Sequence, residues 1–123
     1  MLKFVTDLFK PSAPKPPAPI SSQTSMNFDT EEVTPFLIQL ANNPRFVFPE
    51  GVAQLVQQDL QEMAVEETRR WKLTCDLDRQ PIHLEIEAFM DDVNAPDLSF
   101  FSTLEAVQEI EQELEAFAAA KGL

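Results

Sequence analysis

Alternation between apolar and polar residues, which runs from residue 70 to residue 90, is the feature of this chain that most constrains its fold. In the stretch KLTCDLDRQPIHLEIEAFMDD, and in Trp71 just before it, apolar residues recur at every second position on both sides of the segment DRQP. A period of two is typical of a strand with one buried face, and DRQP suits a four-residue turn. The sequence therefore predicts a β-hairpin in which Leu77 faces Ile82.

The predicted register distributes the side chains of the hairpin over two faces. The inner pairs are Cys75–Leu84, Leu73–Ile86 and Trp71–Ala88, and the outer pairs are Asp76–His83, Thr74–Glu85, Lys72–Glu87 and Arg70–Phe89. Two of the four outer pairs join an acidic to a basic residue and no like charges face each other, which favours the pairing. A slip by one residue would move the whole apolar set into water, so we expect this register to be strongly specified.

A helix is predicted before the hairpin, in the segment DTEEVTPFLIQLANNP. Thr34 suits the N-cap and Pro35 the first helical position, where a missing N–H costs nothing. A start at Asp29 would place Pro35 inside the helix, at a cost of about 3 kcal/mol. We therefore expect the helix to begin at Thr34 and to end before Pro44.

Two further helices are predicted from apolar residues spaced three and four positions apart. One should begin at Pro49 and run to about Glu67. The other follows the segment STLE, which resembles a capping box with Ser102 as the cap and Glu105 returning to its backbone. Gly122 suits the end of this last helix.

Together these elements predict an α+β fold in the order α-α-β-β-(β)-α. It consists of a small antiparallel hairpin or three-stranded meander packed on helices, in which DLSFF is the optional third strand. Two strands alone would be marginal in water, so the helices should cover the apolar face. Three regions are expected: a short amphipathic segment at 1–9, a Pro-rich and polar linker at 10–28, and a single α+β domain at 29–123.

Residues 1–9 place five apolar residues on one helical face: Met1, Leu2, Val5, Leu8 and Phe9. Nine residues are too few to hold a helix alone in water, so the segment could dock on its own domain, dock on a partner or stay disordered. One short helix is a weak membrane anchor, and we expect no stable membrane attachment. The segment also lacks the continuous apolar core of a secretory signal, which favours a cytoplasmic protein.

Charge is distributed unevenly along the chain, whose formal net charge is −12. Residues 1–20 carry three lysines and one aspartate, a net of +2, so the remainder carries 6 basic and 20 acidic residues, a net of −14. An acidic unit repels nucleic-acid phosphates and attracts basic partners. We therefore expect a basic protein partner and no binding to nucleic acid.

Catalysis would have to use His83, which the predicted register orients toward Asp76 as in half of a nucleophilic triad. The nucleophile is missing, because Cys75 points into the core and Thr74 has no Gly-rich turn nearby to build an oxyanion hole. A structural ion pair explains His83 and Asp76 as well. The sequence therefore favours a non-enzymatic protein, and a small enzyme using His83 with Asp76 is the weaker alternative.

Metal binding has two candidate residue sets. His83, Glu85 and Glu87 alternate along one strand, but a single histidine with carboxylates is not a zinc cluster. The acidic loop DDVNAPD contains Asp91, Asp92, Asn94 and Asp97 but lacks the glycine and the closing glutamate of an EF-hand. We expect no metal and no other cofactor.

Partner binding is the function that the sequence favours. In the last helix Glu105–Glu109, Glu109–Glu113 and Glu111–Glu115 are like-charged at i, i+4, which is unfavourable unless a basic surface meets them, although an acidic composition alone also explains them. Exposed aromatic residues bordered by charge are typical of an interface centre. The predicted partner-binding residues are Lys72, Glu85, Glu87, Phe89, Phe101, Glu109 and Glu113.

The predicted function is thus a non-enzymatic acidic protein-binding module, of the adaptor, inhibitor, immunity or chaperone-like type. An accessory subunit tethered through residues 1–9 is the alternative. In that arrangement the linker would raise the effective concentration of the domain at its partner. A homo-oligomer formed through an open sheet edge or an exposed Phe face also stays open.

Overall fold

A computed structural model describes residues 16–122, which form a curled five-stranded antiparallel sheet and three helices. The predicted α+β class is confirmed. In chain order the elements are β1 Ser22–Asn27, α1 Thr30–Ala41, β2 Phe46–Val47, α2 Val52–Gln61, β3 Thr68–Leu77, β4 Gln80–Asp92, β5 Ala95–Ser102 and α3 Leu104–Lys121. The strands lie in the order β1-β5-β4-β3-β2. The predicted element order was incomplete, because it lacked β1 and β2 and left β5 optional.

Strand β1 lies within residues 10–28, the region predicted to be a linker. Its residues SQTSMN carry little apolar alternation, so the pattern gave no strand signal. The segment is ordered by its backbone, which pairs with β5 from Ser22 opposite Ser102 to Asn27 opposite Asp97. The predictions for residues 1–9 and for the first part of the linker fall on residues 1–15, outside the described residues.

The register of the β3–β4 hairpin differs from the predicted one by two residues. Leu77 faces Gln80, and Cys75 faces Ile82. The connecting loop is Asp78–Arg79, with φ of 50° and 68°, as a two-residue type I′ turn requires. This turn matches the twist of the strands better than a four-residue loop does. A shift of two residues leaves every side chain on its predicted face, so the apolar pattern alone is compatible with both registers.

Helix α1 begins at Thr30, with Asp29 as N-cap, so the predicted start at Thr34 was wrong. Glu32 Oε1 accepts a hydrogen bond from the backbone N–H of Asp29 (3.2 Å), one half of a capping box. Pro35 lies inside the helix but on its exposed side. The apolar face on the other side is buried and offsets the cost of the proline; it comprises Val33, Phe36, Leu37 and Leu40.

Both other helices have ends that differ from prediction. α2 ends at Gln61 rather than near Glu67, because the chain turns there to reach β3, with the N–H of Glu66 donating to the carbonyl of Met90 (2.7 Å). α3 is capped by Thr103, whose hydroxyl accepts from the N–H of Ala106 (3.1 Å). Ser102, the predicted cap, is instead buried at the end of β5. The predicted stop at Gly122 is confirmed, with φ of 75°.

The core lies between one face of the sheet, here called the inner face, and the three helices. Alternate residues of β3, β4 and β5 are buried there, including Trp71, Leu84 and Phe100. Phe36 of α1 joins the layers, since its ring centroid lies 5.8 Å from that of Phe100 and 5.5 Å from that of Phe117. Within residues 16–122, no helix has the length and apolar character needed to cross a membrane.

Candidate functional site

The opposite side of the sheet, here called the outer face, carries polar and aromatic side chains in three rows across four strands. The rows follow from the pairings, and all their members are exposed or half-buried. They are Gln23–Phe101–Glu85–Lys72, Ser25–Ser99–Glu87–Arg70 and Asn27–Asp97–Phe89–Thr68. Five of the seven predicted partner-binding residues therefore lie together on this face: Lys72, Glu85, Glu87, Phe89 and Phe101.

Arg70 organises the centre of the outer face. Its Nη1 donates to Glu85 Oε1 (2.8 Å) and its Nη2 donates to Glu87 Oε2 (2.6 Å). Its guanidinium carbon also lies 4.5 Å from the centroid of the Phe101 ring, a cation–π contact. The hydrogen bonds to Glu87 and then Glu85 raise the pKa of Arg70. The predicted register pairs Arg70 with Phe89, and the two-residue shift brings Arg70 opposite Glu87 instead.

Hydrogen bonds between side chains also order the β1 side of the outer face. The hydroxyls of Ser25 and Ser99 lie 2.8 Å apart, and Asn27 Nδ2 donates to Asp97 Oδ1 (2.6 Å). Pairs of this kind across neighbouring strands stabilise a sheet surface that no helix covers. The polar sequence of β1 thus suits a strand with one solvent-facing side.

Two shallow concavities flank the Arg70–Phe101 centre. One has a volume of about 380 Å³ and includes Phe89, Asp97 and Ser99 in its lining. The other has a volume of about 350 Å³ and lies between Ile20 and the side chains of Lys72 and His83. Both volumes are near the low end of the ~300–1,000 Å³ typical of small-molecule pockets, and both are open to solvent. The outer face therefore offers a broad, shallow surface.

The residues considered for catalysis do not form a site. His83 faces Thr74, whereas Asp76 faces Pro81, so the predicted Asp76–His83 pair was wrong. Within the described chain, no hydrogen bond or ion pair joins these two side chains. Cys75 is buried on the inner face, and burial raises the pKa of its thiol to about 12. A thiol with such a pKa is protonated at neutral pH and is a poor nucleophile.

Glu109 and Glu113, the other two predicted partner-binding residues, lie on α3 away from the outer face and bind residues of this chain. Asn43 Nδ2 donates to Glu109 Oε2 and to Glu113 Oε2, at 2.7 Å each. Gln39 Nε2 donates to Glu113 Oε1 (2.8 Å). Asn43 is buried, so these carboxylates satisfy a buried amide. The packing of α3 on α1 is sufficient to explain both residues.

Arg45 connects three carboxylates that are distant in sequence. It contacts Asp78 at 2.6 Å, Glu105 at 2.5 Å and Glu109 at 2.8 Å, which joins the hairpin turn to α3. The hydrogen bonds from Arg45 lower the pKa of Asp78. The like-charged pair Glu105–Glu109 thus shares a basic partner that sequence reasoning missed. No local pattern signals this cluster, because its members lie at least 33 positions from Arg45.

Within residues 16–122, no group of three or more His, Cys, Asp and Glu side chains is placed to hold a metal ion. His83, Glu85 and Glu87 do alternate along β4, but Arg70 engages both glutamates.

No family model, curated protein or solved structure matches this chain.

Proposed function

We propose that this protein is a non-enzymatic protein-binding module that engages a basic partner through the outer face. The observation that carries the proposal is the placement of two aromatic residues, Phe89 and Phe101, on a sheet surface that none of the three helices covers. Interface centres are enriched in aromatic residues and arginine and are surrounded by polar rims. Here Phe101 and Arg70 lie in contact at the centre, and charged residues surround them.

Charge supports a basic partner. Acidic residues on the outer face outnumber basic ones, since Asp76, Glu85, Glu87 and Asp97 lie there with Arg70 and Lys72. Because Arg70 neutralises part of this charge locally, the attraction of a basic partner comes from the acidic residues of the whole domain rather than from one ion pair. Complementary charge of this kind speeds encounter and selects partners more than it adds affinity.

The experiment compares proteins that co-purify with the chain at low and at high salt. We expect basic proteins to be retained at low salt by the wild type and to be lost with Phe101→Ala. Leu55→Ala is the matched control, because Leu55 is an exposed apolar residue on α2. Retention that is indifferent to salt, or equal for Phe101→Ala and wild type, would contradict the proposal. Melting temperatures of both variants exclude a loss of folding.

A tethered accessory subunit is the second candidate, because residues 1–15 contain a short predicted amphipathic helix that needs a surface to pack on, and a partner can supply it. This segment carries Lys3, Lys10 and Lys15 against Asp7, a net of +2, next to an acidic domain. Deleting residues 1–15 tests this function directly. Association that persists unchanged in the truncated chain assigns binding to the domain, whereas its loss assigns binding to the segment.

A further inference from the structure

We propose that residues 1–9 dock, within the same molecule, into an apolar groove between α1, β2 and α2. The groove has a volume of about 370 Å³, and its apolar lining includes Leu37, Ile38, Ala41, Val47, Phe48 and Val52. It lies at the β2 edge of the sheet, away from the Arg70–Phe101 centre, so it is a separate surface from the proposed partner site.

The groove exposes apolar side chains that the described residues leave uncovered. Ile38 is 46% exposed and Val47 is 63% exposed, although both are large and apolar. Two such residues at one apolar concavity are consistent with a surface that another apolar group covers. The volume suits a few side chains from one face of a helix, which is the usual way in which an amphipathic helix binds a groove.

The described chain next to Ala18 runs toward the same end of the sheet as the groove. Ala18 lies parallel to β4, donating to the carbonyl of Pro81 and accepting from the N–H of His83, both at 3.0 Å. Followed toward its N-terminus, the chain therefore heads past Gln80 and the hairpin turn. β2 lies at this end too, because Val47 faces Asp76 near the close of β3.

The distance to be crossed is within the reach of the chain. From Ala18 to Val47 the path crosses β4 and β3 to reach β2, three steps of about 4.8 Å each, or about 15 Å in total. Residues 10–15 extend to at most about 20 Å. Six residues therefore suffice to bring residues 1–9 to the groove without disturbing the sheet.

The chemistry of the segment complements the groove. Its five apolar residues share one helical face, and burial in the groove would supply the packing that a nine-residue helix lacks in water. Glu50 lies on the groove wall. The C-terminal end of α1, at Ala41 and Asn42, also lines the groove, and the last turn of this helix has no basic residue. Cations near a helix C-terminus are stabilising. Lys3 and Lys10 can provide this charge.

The test uses the full chain with a nitroxide attached through Asp7→Cys, a position on the polar side of the predicted helix. Cys75 is buried, and burial raises the pKa of its thiol, so we expect a thiol reagent at neutral pH to leave it unmodified. In a sample with labelled methyl groups, we expect the signals of Ile38, Val47 and Val52 to broaden and to recover when the nitroxide is reduced. The methyl signals of Val93, at the opposite end of β4, should not broaden.

Mixing spin-labelled chains with methyl-labelled chains that lack the nitroxide distinguishes the occupants. No broadening in this mixture is expected for docking within one molecule. Broadening that persists in the mixture would assign the groove to a second copy and overturn the proposal. Absence of broadening in both samples would show that the segment leaves the groove open to a different molecule, which also overturns it.

Matched variants separate docking from chance proximity. Leu8→Asp on the apolar side of the segment should abolish the broadening, whereas Thr6→Asp, with the same charge change on the polar side, should preserve it. Ile38→Asp, in the groove, should abolish the broadening, whereas Val93→Asp, outside the groove, should preserve it. Both residues are exposed, so neither substitution should change fold stability much. Equal broadening in all four variants would overturn the proposal.

Discussion

The two faces of the sheet differ most clearly at two consecutive residues, Phe100 and Phe101. Phe100 is fully buried on the inner face, where its ring packs against that of Phe36. Phe101 is half-buried on the outer face, where its ring contacts the guanidinium of Arg70. Burial of apolar surface fixes the inner face, whereas charge pairs order the outer one. Substitutions on the outer face should therefore have less effect on folding than substitutions on the inner face.

The arginine clusters around Arg45 and Arg70 perform different structural roles. Arg45 joins the hairpin turn to α3, which is distant in sequence. Arg70 joins residues of two adjacent strands. Removing Arg45 disturbs how elements pack together, whereas removing Arg70 disturbs only the order of an exposed surface.

The largest expected effect comes from truncating the two phenylalanines. Phe100→Ala should lower the free energy of unfolding by about 3–5 kcal/mol, since it leaves a cavity among buried rings. Phe101→Ala should lower it by no more than about 1 kcal/mol, because its ring is only partly removed from water. Urea denaturation measures both values. Equal losses would show that the outer face carries as much of the folding energy as the inner one.

Alkaline pH should weaken the inner face through Cys75. Burial raises the pKa of its thiol from 9.0 to about 12 in the folded chain. The folded state therefore keeps the proton while the unfolded chain loses it, so stability is intact below pH 9 and falls as the pH rises toward 12. The decrease reaches up to about 1.4 kcal/mol per pH unit for one group.

Cys75→Ala provides the control for this alkaline loss. The variant removes the thiol and should show a flatter decline of the melting temperature between pH 9 and 11 than the wild type. The chain contains no tyrosine, which removes one other class of group that titrates in this range. Parallel declines in the two proteins would mean that the thiol is not protected by burial.

Replacing Arg45 or Arg70 should lower the melting temperature by smaller amounts, and Arg45 should have the larger effect. Arg45→Met should lower the melting temperature by a few degrees, because Glu109 is only 15% exposed and would lose its basic partner beside Glu105 and Glu113. Arg70→Met should lower it less, since Glu85 and Glu87 lie on the strand paired with that of Arg70, so no packing between distant elements is lost. Thermal unfolding at low and high salt checks both. A larger loss for Arg70→Met would reverse the assigned roles.

Much of the inner face was predictable from the sequence, since the alternation in β3 and β4 assigned Trp71, Cys75 and Leu84 to the core correctly. The pattern could not choose between registers that differ by two residues, because both bury the same side chains. Strand β1 was missed for a related reason: its polar residues are held by backbone pairing with β5 rather than by apolar burial. The start of α1 was missed because burial of its apolar face outweighs an interior proline.

The candidate site was predictable only as a face. Alternation placed Glu85, Glu87 and Phe89 on one side of β4, and the structure agrees. The partners of these residues depend on the register, so Arg70 was paired wrongly. The Arg45 cluster depends on the packing of α3 beside the hairpin turn, which no short stretch of sequence encodes. Glu109 and Glu113 therefore looked unpartnered, although Asn43 and Arg45 bind them.

The smallest expected effect comes from the Asp78–Arg79 turn, which sets the register between β3 and β4. Arg79 has φ of 68°, in the left-handed region that favours glycine. Arg79→Gly would give Asp-Gly, the preferred pair for a type I′ turn, and should stabilise the fold by about 0.5–1 kcal/mol. Arg79→Val should destabilise it, because a β-branched residue is strained at this φ. If the turn had four residues, with Leu77 opposite Ile82, Arg79→Gly would be destabilising instead. The direction in which Arg79→Gly shifts the denaturation midpoint therefore distinguishes the two registers.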